Sequence, residues 1–151
     1  MAVNAEQVGG SHYKSDYQHW DLVIKVSMGY LEGNSTKYVS RWRKKGGMED
    51  LRKARHYLDK LLEVCADKPV LLLRSLPIKE IYTEVNRFAL ANNLDFLEEE
   101  YITILSTYER SQHLIDARVI LVELMEEANT PSLPDEPNYP GTPVDGGHHA
   151  R

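Results

Sequence analysis

A chain of 151 residues with 42% hydrophobic and 27% charged residues can build one small core, or two helical units sharing one, and is too short for a large enzyme. Its single cysteine, Cys65, excludes an intramolecular disulfide and a cysteine-built zinc site, and its longest apolar run, Val70 to Leu73, is a fragment of a bilayer span. The net charge of −5 argues against bulk nucleic-acid binding, and Met1 to Gly10 lacks the pattern of a secretory signal, so a reducing cytosol is the expected location.

Gly9 to Tyr13 reads as a turn or extended lead-in. Leu22, Val23, Val26 and Tyr30 recur at helical spacing and predict a first helix from about Asp21 to Leu31, ending near Gly33. Asn34 is the expected cap of a second helix running to about Lys45, with Gly46 and Gly47 as its stop. A third helix, from about Glu49 to Cys65, carries the clearest stripe: Leu51, Ala54, Leu58, Leu61, Leu62 and Cys65. Pro69 and Pro77 bracket a short apolar linker.

Three more helices are expected. The first runs from Ile78 to Asn92 on Ile78, Ile81, Val85, Phe88 and Ala89. The next runs from Asp95 to Tyr108 on Leu97, Tyr101, Ile104, Leu105 and Tyr108. The last runs from Ser111 to Ala128 on Leu114, Ile115, Leu121, Val122, Leu124 and Met125. Five prolines after Asn129 predict a disordered tail to Arg151. The expected fold is therefore mainly α: about six helices, with a site-bearing region over 1–68, an acidic helical segment over 69–128 and a tail over 129–151.

Charge is divided unevenly. From Lys37 to Lys60 nine basic residues face three acidic ones, a balance of +6, whereas Pro69 to Ala128 holds five basic and eleven acidic residues, a balance of −6. A positive patch concentrates anions; the plainer reading is that the two halves attract each other across an interface. On a helix Asn34, Lys37, Tyr38, Arg41 and Lys45 fall at i, i+3, i+4, i+7 and i+11 and share a face. An amide, an aromatic ring and three cations suit a phosphorylated nucleotide, Arg41 being able to donate two parallel hydrogen bonds. Asp50, Lys53 and Tyr57 share a face of the next helix, where Asp50 also suits a helix N-terminus without further function. His12 and Tyr13, after two glycines, are candidates to close over the same ligand.

Three blocks in order carry a resemblance: Gly10-Ser11-His12-Tyr13; Gly33-Asn34 with Lys37-Tyr38, Arg41 and Lys44-Lys45-Gly46; and Asp50-Leu51 with Lys53-Ala54 and Tyr57-Leu58. Over about Val8 to Glu63 the chain resembles a small bacteriophage family, long catalogued as a domain of unknown function and also called SaV-like. That family includes a phage nucleotide kinase acting on deoxynucleoside monophosphates without a Walker-type phosphate loop. The resemblance implies a phage protein of nucleotide metabolism in the host cytoplasm, with Ser11, His12, Tyr13, Asn34, Lys37, Tyr38, Arg41, Lys45, Asp50, Lys53 and Tyr57 at the matching positions. The chain departs from the kinase member by lacking a long N-terminal extension and by adding the segment from Ile78 to Ala128.

As a kinase, the protein would work by positioning and charge stabilisation. His12, Lys37, Arg41 and Asp50 are then the catalytic candidates. Ser11, Tyr13, Asn34, Tyr38, Lys45, Lys53 and Tyr57 are the nucleotide-binding ones. A nucleoside triphosphate is the expected phosphate donor, with Mg2+ as a possible cofactor held by Asp50. No GxxxxGK[ST] motif occurs. The alternatives are a phage protein that sequesters a signalling nucleotide, a helical nucleotide pyrophosphohydrolase, and a protein whose acidic half docks a host partner. The run Glu98-Glu99-Glu100 with Asp116 invites the pyrophosphohydrolase, but successive residues project differently and a solvated face is the plainer reading. Unburied apolar faces on six short amphipathic helices make a homo-oligomer the expected state.

Overall fold

The computed structural model describes residue 8, residues 15–66 and residues 74–131. Among these residues there are six helices and no strand: α1 His19–Val26, α2 Tyr30–Arg41, α3 Gly47–Cys65, α4 Ile78–Ala91, α5 Phe96–Thr107 and α6 Ser111–Asn129. The mainly helical architecture is as expected. The lead-in at Gly9 to Tyr13, residues 70–73 of the expected linker from Val70 to Leu76, and the tail from residue 132 lie outside the described residues.

The first two boundaries differ from the expectation. The α1 helix opens with the Asp21 carboxylate accepting from the Gln18 backbone N–H at 3.0 Å and stops at Ser27, whose φ of 57° is left-handed. The α2 helix then starts at Tyr30 after Gly29. Asn34 is therefore in the second turn of α2 rather than its cap, and its side-chain amide donates to the Tyr30 carbonyl at 2.8 Å. Apolar spacing carried on from Val26 to Tyr30 across the break, because both flanking turns keep helical periodicity. Tyr30, expected inside, is exposed.

At its other end α2 stops at Arg41, and residues 42–46 form a turn. The N–H groups of Lys44 and Lys45 both reach the Arg41 carbonyl at 3.0 Å, and Gly47 N–H reaches the Trp42 carbonyl at 2.7 Å. Gly47 takes φ 52°, the left-handed region that glycine enters without steric cost. A side chain on Gly46 would place its Cβ 2.2 Å from the Asp50 carboxyl carbon. This turn thus uses its two glycines for different reasons.

The main core joins both halves of the chain. Val39, Trp42, Leu51, Ala54, Leu58 and Leu61 pack with Tyr101, Leu105, Leu114, Ala117, Leu121 and Leu124. A second cluster sets Tyr17, Leu22 and Val26 against Ile81, Val85, Phe88 and Ile102. Buried hydroxyls pin the same contact: Ser35 Oγ donates to the Ala54 carbonyl at 2.8 Å and lies 2.6 Å from the Tyr101 hydroxyl, and Tyr108 donates to Glu32 at 2.5 Å. The stripes expected on α3 and α4 pack inward. On α6, however, Ile115 and Val122 are exposed while Ala117 and Ile120 are buried, because a helix rich in apolar residues on several sides does not announce which one faces the core.

Glu100 and Asp116 are exposed and Glu99 is half-buried, as a solvated face requires, but Glu98 departs from it. Glu98 is buried and closes a capping box with Asp95 at the start of α5. Its Oε1 also accepts from Trp42 Nε1 at 2.8 Å and from Arg43 Nε at 2.7 Å. Arg43 further pairs with Asp95 and, at 2.6 Å, with Glu127. One arginine of the basic segment thereby makes three ion pairs to the acidic half. Burial pushes the Glu98 carboxyl pKa up, and the surrounding carboxylates hold Arg43 in its charged form despite partial burial. Among the described residues no helix is long and apolar enough to cross a membrane.

Candidate functional site

Helices α2 and α3 form a hairpin about the turn at residues 42–46, so positions running back along α2 meet positions running forward along α3. Arg41 meets Asp50, and Tyr38 meets both Lys53 and Tyr57. Two short stretches that share a face on separate helices are thereby fused into one surface.

Tyr38 is its centre. Its ring stacks on Tyr57 with centroids 6.0 Å apart and planes 16° from parallel, and Tyr30 meets Tyr57 edge-on at 6.1 Å. Three cations surround the Tyr38 ring: the Arg41 guanidinium at 4.6 Å, Lys37 Nζ at 5.5 Å and Lys53 Nζ at 5.6 Å from its centroid. The ring quadrupole attracts each of them, so Tyr38 partly offsets their mutual repulsion and gathers positive charge beside an aromatic surface.

Arg41 is fixed from below. Its Nε and Nη2 donate to the two oxygens of Asp50 at 3.1 and 3.2 Å, and the Gly46 backbone N–H adds a third bond to Asp50 at 3.1 Å. Asp50 is 2% exposed. Its oxygens are thus engaged within the hairpin, and no group of three His, Cys, Asp or Glu side chains that could hold a metal occurs among the described residues. Asp50 thereby positions Arg41.

Lys37 and Arg41 also border a pocket of about 30 Å3 whose other walls are Gln18, His19, Ser40, Lys44, Phe88 and Asn92. His19 Nε2 is 2.8 Å from Thr36 Oγ1. That hydroxyl itself donates to the Glu32 carbonyl at 2.9 Å, so the imidazole carries its proton on Nε2. Burial, and then the Lys37 ammonium, lower the His19 pKa to about 4. Lys44 Nζ donates to the Asn92 carbonyl at 3.0 Å.

The expected site residues therefore fall into three groups. Lys37, Tyr38, Arg41, Asp50, Lys53 and Tyr57 are brought together. Asn34 lies on the same α2 face with its amide bonded along its own helix, and Lys45 is in the turn, off that face, because the helix ends four residues earlier. Ser11, His12 and Tyr13 lie outside the described residues. Sequence spacing missed His19 and Asn92: they belong to α1 and to the C-terminal end of α4, and no local period connects them to Lys37. Lys44 was counted for its charge without a role.

The profile of a family described only as a protein of unknown function (DUF3310) matches residues 8–59, less than half of the chain. Searches of curated proteins and of solved structures give no match. The matched residues run from before α1 to Asp59 within α3, so they contain α2, the turn at residues 42–46, the first thirteen residues of α3 and the cation–aromatic cluster.

Proposed function

We propose that the protein binds phosphorylated nucleotides on the α2–α3 hairpin and, as a phage nucleotide kinase, transfers phosphate to deoxynucleoside monophosphates from a nucleoside triphosphate. The observation that carries this reading is the convergence of Lys37, Arg41 and Lys53 around the Tyr38 ring, itself stacked on Tyr57. A nucleotide is a flat π system joined to an anion, and an aromatic pair rimmed by cations complements both parts. Binding without turnover is favoured by one specific observation, the engagement of Asp50 by Arg41 and Gly46. A catalytic version then needs His12 or groups from a second copy in a homo-oligomer.

Incubation with each deoxynucleoside monophosphate, a nucleoside triphosphate and magnesium, followed by anion-exchange separation, tests the reading. New diphosphate that disappears in Lys37→Ala identifies a kinase. Unchanged nucleotide co-eluting with the protein identifies a binder, and nucleotide that neither binds nor changes refutes both.

A further inference from the structure

Resting on that reading, we infer that the pocket between α1, α2 and the end of α4 is a phosphoryl subsite, in which Lys37 and Lys44 clamp the dianion of a phosphomonoester. The nucleoside portion lies outside it, toward Tyr38 and Tyr57.

Size selects the group. Cavity space of about 30 Å3 holds two to three water-sized groups at roughly 10–15 Å3 each, which matches the terminal oxygens of a phosphoryl group and is far too little for a base and sugar. Charge selects it too. Lys37, Arg41 and Lys44 all border the pocket, and the Arg41 charge is balanced by Asp50 at 3.1 Å. Neither Lys37 nor Lys44 forms an ion pair with a carboxylate among the described residues. The uncompensated balance is therefore two positive charges, the complement of a phosphomonoester dianion.

The geometry is preorganised. The Asn92 carbonyl holds the Lys44 ammonium at 3.0 Å, and an ammonium has three donors, so two remain for a ligand. His19 adds no charge at neutral pH, which keeps the uncompensated charge of the pocket at two rather than three. Arg41 forms the wall shared with the Tyr38 cluster, so phosphate in the pocket and a base on the aromatic side are contiguous. Asn92 and Phe88 come from beyond the segment that the family profile matches, which gives the second half of the chain a part in ligand binding.

Two probes test the subsite separately from the nucleotide reading: inorganic phosphate followed by phosphorus NMR, and a deoxynucleoside monophosphate followed by calorimetry. Each is applied to the wild-type chain, Lys44→Gln and Lys44→Arg. Inorganic phosphate should bind the wild type. Lys44→Gln should weaken both probes by roughly tenfold, the scale of one charge-assisted hydrogen bond, and Lys44→Arg should restore them, which a folding defect would not do. If nucleotide binds the wild type and Lys44→Gln alike and inorganic phosphate does not bind, the subsite is refuted while the nucleotide reading survives. If inorganic phosphate binds in a Lys44-dependent way and nucleotide does not, the subsite stands and the nucleotide reading falls. Failure of both probes overturns both.

Discussion

Arg41 and Asp50, nine residues apart on successive helices, meet in a two-point ion pair at 3.1 and 3.2 Å that closes the α2–α3 hairpin beneath Tyr38. Arg41 is therefore a structural residue of the hairpin. Although Arg41 lies on a polar helix face, its partner is buried, which makes its removal costly. Arg41→Ala strands a carboxylate that is 2% exposed and should cost about 3 kcal/mol of stability, the scale for breaking a buried pair from one side. Urea unfolding checks it; a change below about 1 kcal/mol, the scale of an exposed pair, would refute the structural role.

The two turn glycines should respond differently to alanine. Gly47→Ala places a β-carbon in the left-handed region and should cost about 1 kcal/mol. Gly46→Ala sets its Cβ 2.2 Å from the Asp50 carboxyl carbon, so it must displace the Arg41 pair and should cost more. Thermal melting of the two variants gives the order, and equal losses would show that the carboxylate moves aside freely.

Tyr38→Phe keeps the ring and its quadrupole, whereas Tyr38→Ala removes both and leaves Lys37, Arg41 and Lys53 to repel one another. Nucleotide affinity should be nearly unchanged in the first and fall about tenfold in the second, consistent with stacking worth roughly 1–3 kcal/mol per base. Equal affinity in the wild type and Tyr38→Ala would dismiss the aromatic platform.

His19 sets a pH dependence. Its folded pKa of about 4 lies below the ordinary value of 6.5, so the unfolded chain takes up its proton first as pH falls. The stability from a neutral His19 is thus complete above about pH 6.5 and is lost progressively toward pH 4. Unfolding measured across that window should show a steeper decline for the wild type than for His19→Gln, which has no proton to bind. Parallel profiles would mean that His19 is not held neutral.

Periodicity made much of this fold legible in advance. The α3 and α4 stripes, the α5 helix and the helical class follow from apolar residues recurring every three or four positions, because a helix must bury one face. The same local rule brought out Lys37, Tyr38 and Arg41 as one group and Asp50, Lys53 and Tyr57 as another. It could not mark the break at Ser27, where the spacing runs on through a left-handed residue, or the α6 face, where apolar residues lie on several sides.

What the tertiary structure alone decided is how those groups combine. The hairpin turn superposes the two triads around Tyr38, since antiparallel packing pairs descending with ascending positions. It makes Asp50 the anchor of Arg41, because burial obliges a carboxylate to find a partner. It sends Arg43 to Glu98 and Glu127 while leaving Lys37 and Lys44 on a shared pocket with His19. A charge count along the chain registers only the sum of such residues; distance and burial determine which charges are neutralised by a carboxylate and which are not.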